Sequence, residues 1–139
     1  MGEVVFMYLS SLSSDQKELF LDLVIFSMSS DGVVEDREQE IAKRYCNEMQ
    51  IQYRTTLNLT SHVDVLQRLK DISEESDLKK MTVELVSLMY ADKNFADKED
   101  ELLRCVQTTF GFDSHLMGEI IFCSRHLLLS LQMLENVTR

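Results

Sequence analysis

The stretch Ser30-Asp31-Gly32-Val33-Val34-Glu35-Asp36-Arg37-Glu38 is the feature around which the chain is organised. A related stretch, Ala91-Asp92-Lys93-Asn94-Phe95-Ala96-Asp97-Lys98-Glu99, follows 61 positions later. Both begin their pattern with an aspartate and continue with an apolar residue, a second aspartate and a glutamate at the same spacing. Each lies between two segments whose apolar residues have helical spacing, so the pattern predicts a repeated helix–acidic turn–helix unit.

The repeat extends beyond the acidic turns into the flanking segments. Under the same shift, apolar positions correspond in pairs: Phe20, Val24, Met28, Ile41, Tyr45 and Met49 fall on Met81, Leu85, Met89, Leu102, Val106 and Phe110. We predict repeat units at about 14–50 and 74–111 and a final helix at about 115–136, within one domain that spans residues 1–139. Two copies are too few for a solenoid, so we expect a pseudo-twofold pair of packed helical hairpins.

Composition favours helices throughout. The chain has 139 residues, 45% of them hydrophobic, and contains no proline that would kink or end a helix. The predicted fold class is all-α: a compact bundle of about six or seven helices built from the two units. The helix from about 14 to 30 is apolar nearly all round, which is typical of a central, buried helix.

Several polar residues mark where helices begin and end. Ser13 and Gln16 form a capping-box pattern, Ser61 is placed to cap a short helix, and Asp113 or Ser114 precedes the last helix. Gly111 stops the helix that leads up to Phe110. The predicted boundaries therefore rest on cap chemistry as well as on periodicity.

The charge balance limits the classes of partner. The chain has 24 acidic and 14 basic side chains and a formal net charge of −10. Nucleic acid is excluded as a partner, because its binding requires a basic face. An acidic surface suits divalent cations or an unknown basic protein partner equally well. No apolar run is long enough for a membrane span, and three unpaired cysteines fit a reducing, cytoplasmic location.

With these two turns and their flanking stripes, the chain resembles the tellurite-resistance TerB-like family over about residues 12–135. The first turn, Asp31-Gly32-Val33-Val34-Glu35-Asp36-Arg37-Glu38, is similar to that family's acidic turn. The second is similar through Ala91-Asp92, Phe95 and Glu99, followed by Phe110-Gly111-Phe112. The resemblance implies an all-helical fold, two neighbouring acidic turns that bind metal ions, a stress or tellurite-resistance role and no enzymatic activity. In the second turn, Lys93 stands at the position where the family has a glycine.

The candidate metal ligands are the acidic residues of the two turns: Asp31, Glu38, Asp92 and Glu99, joined by Asp36 and Asp97. Carboxylates that meet in a small volume raise one another's pKa unless a cation neutralises them. Oxygen ligands suit Ca²⁺, Mg²⁺ or Mn²⁺ rather than zinc. A structural interpretation stays open beside this one, since Asp before Gly forms turns and Glu in a first helical turn opposes the helix dipole. The EF-hand pattern is absent from both turns.

No catalytic or other cofactor-binding motif is present in the sequence. We therefore expect a non-enzymatic protein, and a carboxylate–metal hydrolase is the remaining enzymatic alternative. Cys123 and His126 share a helix face at zinc-ligand spacing, but no second pair accompanies them, so we expect a packed cysteine and a partly exposed histidine.

Two hypotheses of function remain. In the first, the paired turns hold a divalent cation that sets the angle between the two hairpins. In the second, the acidic face docks a basic protein and the turns are purely structural. The apolarity of residues 115–134 also has two interpretations, a buried final helix or a homodimer interface.

Overall fold

The chain folds as an all-α bundle. The computed structural model describes residues 9–29, 36–91 and 97–138, apart from the side chains of a few helical residues. Within these ranges the chain forms six α-helices and no β-strand. They are α1 (Ser14–Ser29), α2 (Asp36–Met49), α3 (His62–Ile72), α4 (Glu75–Ala91), α5 (Asp97–Phe110) and α6 (Ser114–Thr138). A short 3₁₀ turn at 9–11 precedes α1. The predicted all-α helical bundle is confirmed.

Two helices, α1 and α4, lie at the centre of the bundle. α1 packs on α2, α3 and α4, while α4 also packs on α2, α5 and α6. α3 lies against both α1 and α5. Residues 20–25 of α1 and 84–89 of α4 are buried continuously, so the predicted burial of the first long helix is confirmed and α4 shares it. Each of the six helices contributes buried apolar side chains to one core.

Adjacent carbonyl groups of α4 accept hydrogen bonds from its neighbours. The hydroxyl of Tyr45 on α2 donates to the carbonyl of Glu84 at 2.9 Å. The hydroxyl of Ser124 on α6 donates to the carbonyl of Val83 at 3.1 Å and to that of Ile120 at 2.8 Å. Both donors sit in the protein interior, where a polar group without a partner would be destabilising. α4 is therefore fixed to α2 and α6 by polar contacts as well as by packing.

Most predicted helix ends are found where expected. Ser13 and Gln16 form a reciprocal capping box, with the Ser13 amide donating to Gln16 Oε1 at 2.8 Å and the Gln16 amide to Ser13 Oγ at 3.2 Å. Asp113 caps α6 by accepting from the Leu116 amide at 2.7 Å. Gly111 follows α5 with a φ of 74°, the left-handed conformation that glycine adopts without strain.

One predicted cap is wrong in its chemistry. Ser61 occupies the N-cap position of α3 with extended backbone, but its side chain makes no capping hydrogen bond. An extended backbone at this position is sufficient to start the helix, and the packing of α3 on α1 and α5 supplies the remaining stabilisation. At the N-terminal end the structure describes the chain from Leu9, which is fully buried.

Removal of a buried side chain from α3 tests the packing of this bridging helix. Leu66 is fully buried, whereas Val63 on the same helix is 52% exposed. We expect Leu66→Ala to lower the free energy of unfolding by about 2–5 kcal/mol, because the cavity it leaves adds to the lost burial. Val63→Ala should change it by less than about 0.5 kcal/mol. Urea denaturation followed by circular dichroism measures both, and equal effects would contradict the assigned packing of α3.

Candidate functional site

The six candidate metal ligands fall into three groups in the structure. Asp31 and Asp92 lie outside the described residues. Asp97 and Glu99 belong to the first turn of α5, and their side chains are not described. Asp36 and Glu38 belong to the first turn of α2 and are described in full.

Asp36 and Glu38 differ sharply in exposure. Asp36 is exposed, whereas Glu38 is 1% exposed. Residues two apart on a helix point about 200° apart around its axis, so only one of the pair can face inward. Of the two acidic residues in the first helical turn of α2, Glu38 is therefore the one whose carboxylate lies in the protein interior. Among the side chains the structure describes, no group of three or more His, Cys, Asp or Glu residues is placed to hold a metal ion.

A second polar cluster lies between α1 and the connection from α2 to α3, and the sequence interpretation did not include it. Asp22 is 1% exposed on α1. Its Oδ1 accepts from Nη1 of Arg54 at 2.8 Å and from the Asn58 amide at 3.0 Å, and its Oδ2 accepts from the Leu59 amide at 3.2 Å. The sequence does contain a signal for this cluster: Asp22 is the single charged residue in the largely apolar run 19–28, and a buried charge needs a partner.

Arg54 extends this cluster along α1. Its Nη2 donates to the Glu18 carbonyl at 3.1 Å and lies 3.2 Å from Glu18 Oε2, and its Nη1 also donates to the Thr56 carbonyl. The guanidinium thus joins the Asp22 and Glu18 side chains of α1 to the Thr56 carbonyl of the connection. These contacts satisfy the buried carboxylate internally, so the cluster is an anchor for residues 50–61 rather than an open binding site.

The thiol of Cys46 lies near the same cluster and is unreactive in this environment. Burial raises its pKa to about 11, an effect that Arg54 reduces and Glu18 increases. The other two thiols are more accessible: Cys105 is partly exposed and Cys123 is exposed. The expectation that Cys123 is packed is therefore wrong, because the α6 face that carries it points away from the neighbouring helices. His126 is exposed.

Glu48, near the end of α2, is a partly buried carboxylate outside both acidic turns. Burial raises its pKa above the ordinary value of 4.5, and the Leu9 backbone lowers it by a smaller amount. Its two oxygens have no hydrogen bond of ordinary geometry within the described part of the chain. The charged form of Glu48 therefore destabilises the folded protein at neutral pH.

Removal of the positive charge of the anchor should destabilise the fold. Arg54→Met leaves the buried Asp22 carboxylate without its counter-charge, and we expect a loss of about 3 kcal/mol in the free energy of unfolding. The matched control is Arg104→Met, whose ion pair with Asp100 is largely exposed, and it should change stability by less than about 0.5 kcal/mol. Urea denaturation at pH 7 measures both. A small loss at Arg54, similar to that at Arg104, would show that the anchor is unimportant.

Replacement of Glu48 should stabilise the fold at neutral pH, whereas replacement of Arg54 should destabilise it. Because the pKa of Glu48 is higher in the folded state than in the unfolded state, wild-type stability falls as the pH rises from 4.5 through the raised folded value. Glu48→Gln lacks the charged form, so we expect it to be more stable than wild type at pH 7. Below pH 4.5, where Glu48 is protonated in both states, the difference should vanish. Denaturant unfolding at pH 7 and pH 4 checks this, with exposed Glu40→Gln as the control.

The functional interpretation rests on this chain's own residues. No family model, curated protein or solved structure matched the chain. The resemblance to the TerB-like family is therefore carried by the two acidic turns and their flanking apolar positions, and it remains a proposal. Among the described residues, no helix has both the length and the apolarity that a membrane-spanning segment requires.

Proposed function

We propose that this chain is a non-enzymatic, TerB-like helical module that binds a divalent cation through its two acidic turns. The observation that carries the proposal is the burial of Glu38. A glutamate that only solubilises a helix start stays in water, as Asp36 does, whereas Glu38 is 1% exposed. A carboxylate withdrawn from water beside an acidic turn is suited to bind a cation.

The proposed pairing of the turns requires that the two units be related by a pseudo-twofold axis. Three helix boundaries support this relation, because α1 and α4 begin 61 residues apart, as do α2 and α5, and α2 and α5 also end 61 residues apart. Equivalent apolar positions are buried in both units, as Phe20 and Met81 illustrate. In addition, Gln16 Nε2 donates to Oδ2 of its own equivalent, Asp77, at 3.4 Å. Equivalent residues touch only near a symmetry axis.

The chemistry of the site follows from this relation. Glu99 is the equivalent of Glu38 in the sequence repeat, so in the proposed site each unit would contribute one glutamate from the first turn of a helix. Asp31 and Asp92 would add oxygens from the turns, and the second aspartates of the repeat, Asp36 and Asp97, would complete the set. So many carboxylates in one place repel one another until a cation neutralises them. An all-oxygen set suits Ca²⁺, Mg²⁺ or Mn²⁺, and the ion would fix the angle between the two hairpins.

A second candidate function, docking of a basic protein, is favoured by the exposed acids of α2 and α5. Asp36 and Glu40 on α2 and Asp100 and Glu101 on α5 are all exposed. These side chains add to the field of a chain with a net charge of −10, which attracts a basic surface over a distance. In this case the turns are structural, and binding weakens as salt is added.

Thermal unfolding of the chelated protein with and without millimolar Ca²⁺, Mg²⁺ or Mn²⁺ tests the cation site. A ligand that binds only the folded state raises the midpoint, by about 2.7 kcal/mol of stability at a hundredfold excess over its dissociation constant. We expect an ion-selective rise in wild type. Glu38→Gln, and Asp31→Asn combined with Asp92→Asn, should each lose it.

The matched control is Asp64→Asn combined with Asp71→Asn, which removes the same charge from exposed positions of α3. This variant should keep the full ion-dependent rise. If no ion raises the midpoint of wild type, or if the control loses the rise as the turn variants do, the cation site is refuted. Salt-sensitive binding of a lysine-rich peptide that depends on Asp36, Glu40, Asp100 and Glu101 would then support the docking function.

A further inference from the structure

α6 has two opposed faces with apolar side chains, and among the described residues one of these faces packs against the bundle. The inner face carries Met117, Ile120 and Ser124, which are buried against α4. The outer face carries Phe122, His126, Leu129, Met133 and Val137, here called the α6 stripe. At 3.6 residues per turn these five residues point about 140–220° away from Ser124 around the helix axis.

Every residue of the α6 stripe is exposed. The exposed fractions are 62% for Phe122, 52% for Leu129, 59% for Met133 and 81% for Val137. The His126 ring lies against the Phe122 ring, with centroids 4.1 Å apart, so the two form one continuous surface. Spacings of four, three, four and four residues are those of a seam along which helices pair. The sequence alternative of a fully buried final helix is therefore wrong for this outer face.

A groove beside the stripe supplies a place for an inserted side chain. It holds about 700 Å³ of open space and is lined by Tyr90 of α4 and by Gly118, Ile121, Phe122, Arg125 and Leu129 of α6, among others. The Arg125 guanidinium lies 5.3 Å from the centre of the Tyr90 ring. At Gly118 no atom lies within 4 Å of where a Cβ would stand, so the groove is open at that point.

The charge pattern of α6 indicates which kind of partner fits. Residues 122–137, which the stripe spans, contain one acidic residue, Glu135, and one basic residue, Arg125, in a chain with a net charge of −10. A basic partner attracted by the acidic surface therefore finds few carboxylates here to pair with. A second copy brings the same uncharged stripe, so the two stripes match, while the acidic surfaces of both copies remain in solvent.

We propose that the α6 stripe is the interface of a symmetric homodimer, in which a stripe side chain of each copy enters the groove of the other. Because a twofold interface uses the same patch on both copies, the stripe and its adjoining groove form a self-complementary pair. The stripe is about 22 Å long, and pairing along it buries on the order of 500 Å² on each copy. A total of about 1,000 Å² is the lower limit for a specific interface, so we expect a reversible dimer rather than a permanent one. α6 lies outside both proposed repeat units, so this interface is independent of the proposed cation site.

Sedimentation equilibrium of the full chain between about 1 and 500 µM tests the proposal. We expect the wild type to change from monomer to dimer over this range. Leu129→Glu places a carboxylate in the seam of both copies, and we expect it to raise the dissociation constant at least about a hundredfold. The control is Val63→Glu, which makes a similar change at a residue of α3 with the same exposed fraction, 52%. It should dimerise as wild type does.

Circular dichroism and the thermal midpoint, measured at a concentration where all proteins are monomers, show whether the variants remain folded. If Leu129→Glu proves unstable, the milder Met133→Gln replaces it, with the same expected direction. A wild type that stays monomeric at about 500 µM overturns the proposal, and a different protein then becomes the candidate partner of the stripe. A dimer that Leu129→Glu and Val63→Glu leave equally stable also overturns it.

Discussion

The carboxylate of Asp22 is buried in the middle of an apolar helix, and the rest of the fold is arranged to compensate its charge. An uncompensated buried charge would oppose folding strongly, so α1 can be buried only when residues 50–61 supply their donors. Arg54 and the amides of Asn58 and Leu59 do so. This requirement fixes the connection against α1, and the connection in turn fixes where α3 begins. Because α3 packs on both α1 and α5, one buried carboxylate links the first half of the chain to the second.

α4 has a comparable role for the packing of the remaining helices. Its carbonyls at Val83 and Glu84 are adjacent in sequence and accept from two different neighbours, α6 and α2. A helix with partners on several sides is buried over much of its circumference, and residues 84–89 are buried without interruption, Glu84 and Ser87 among them. The helices at the periphery, such as α2 and α5, instead show a clear polar side. The division into central and peripheral helices therefore follows from how many faces each must bury.

The features that the sequence could predict are those determined by neighbouring residues. Ser13 and Gln16 specify the start of α1, Gly111 ends α5, and periodic spacing identifies most core positions of α1, α2, α4 and α5. The inward Glu38 and outward Asp36 could also have been separated, because residues two apart face opposite sides of a helix. Contacts distant in sequence were beyond this reasoning. Nothing near Arg54 indicates that its partner is Asp22, and apolar residues all round α6 do not reveal which face another helix covers.

The environment of Cys46 has a consequence for measuring how the molecule opens. With a pKa of about 11, only about one Cys46 thiol in ten thousand is a thiolate at pH 7, and the thiol is also buried. An alkylating reagent therefore reaches it only when the end of α2 separates from α1 and the connection. Cys105 and Cys123 react without such an event, since both are more accessible. The rate of Cys46 alkylation, the slowest of the three, therefore reports how often the region around the Asp22–Arg54 anchor opens.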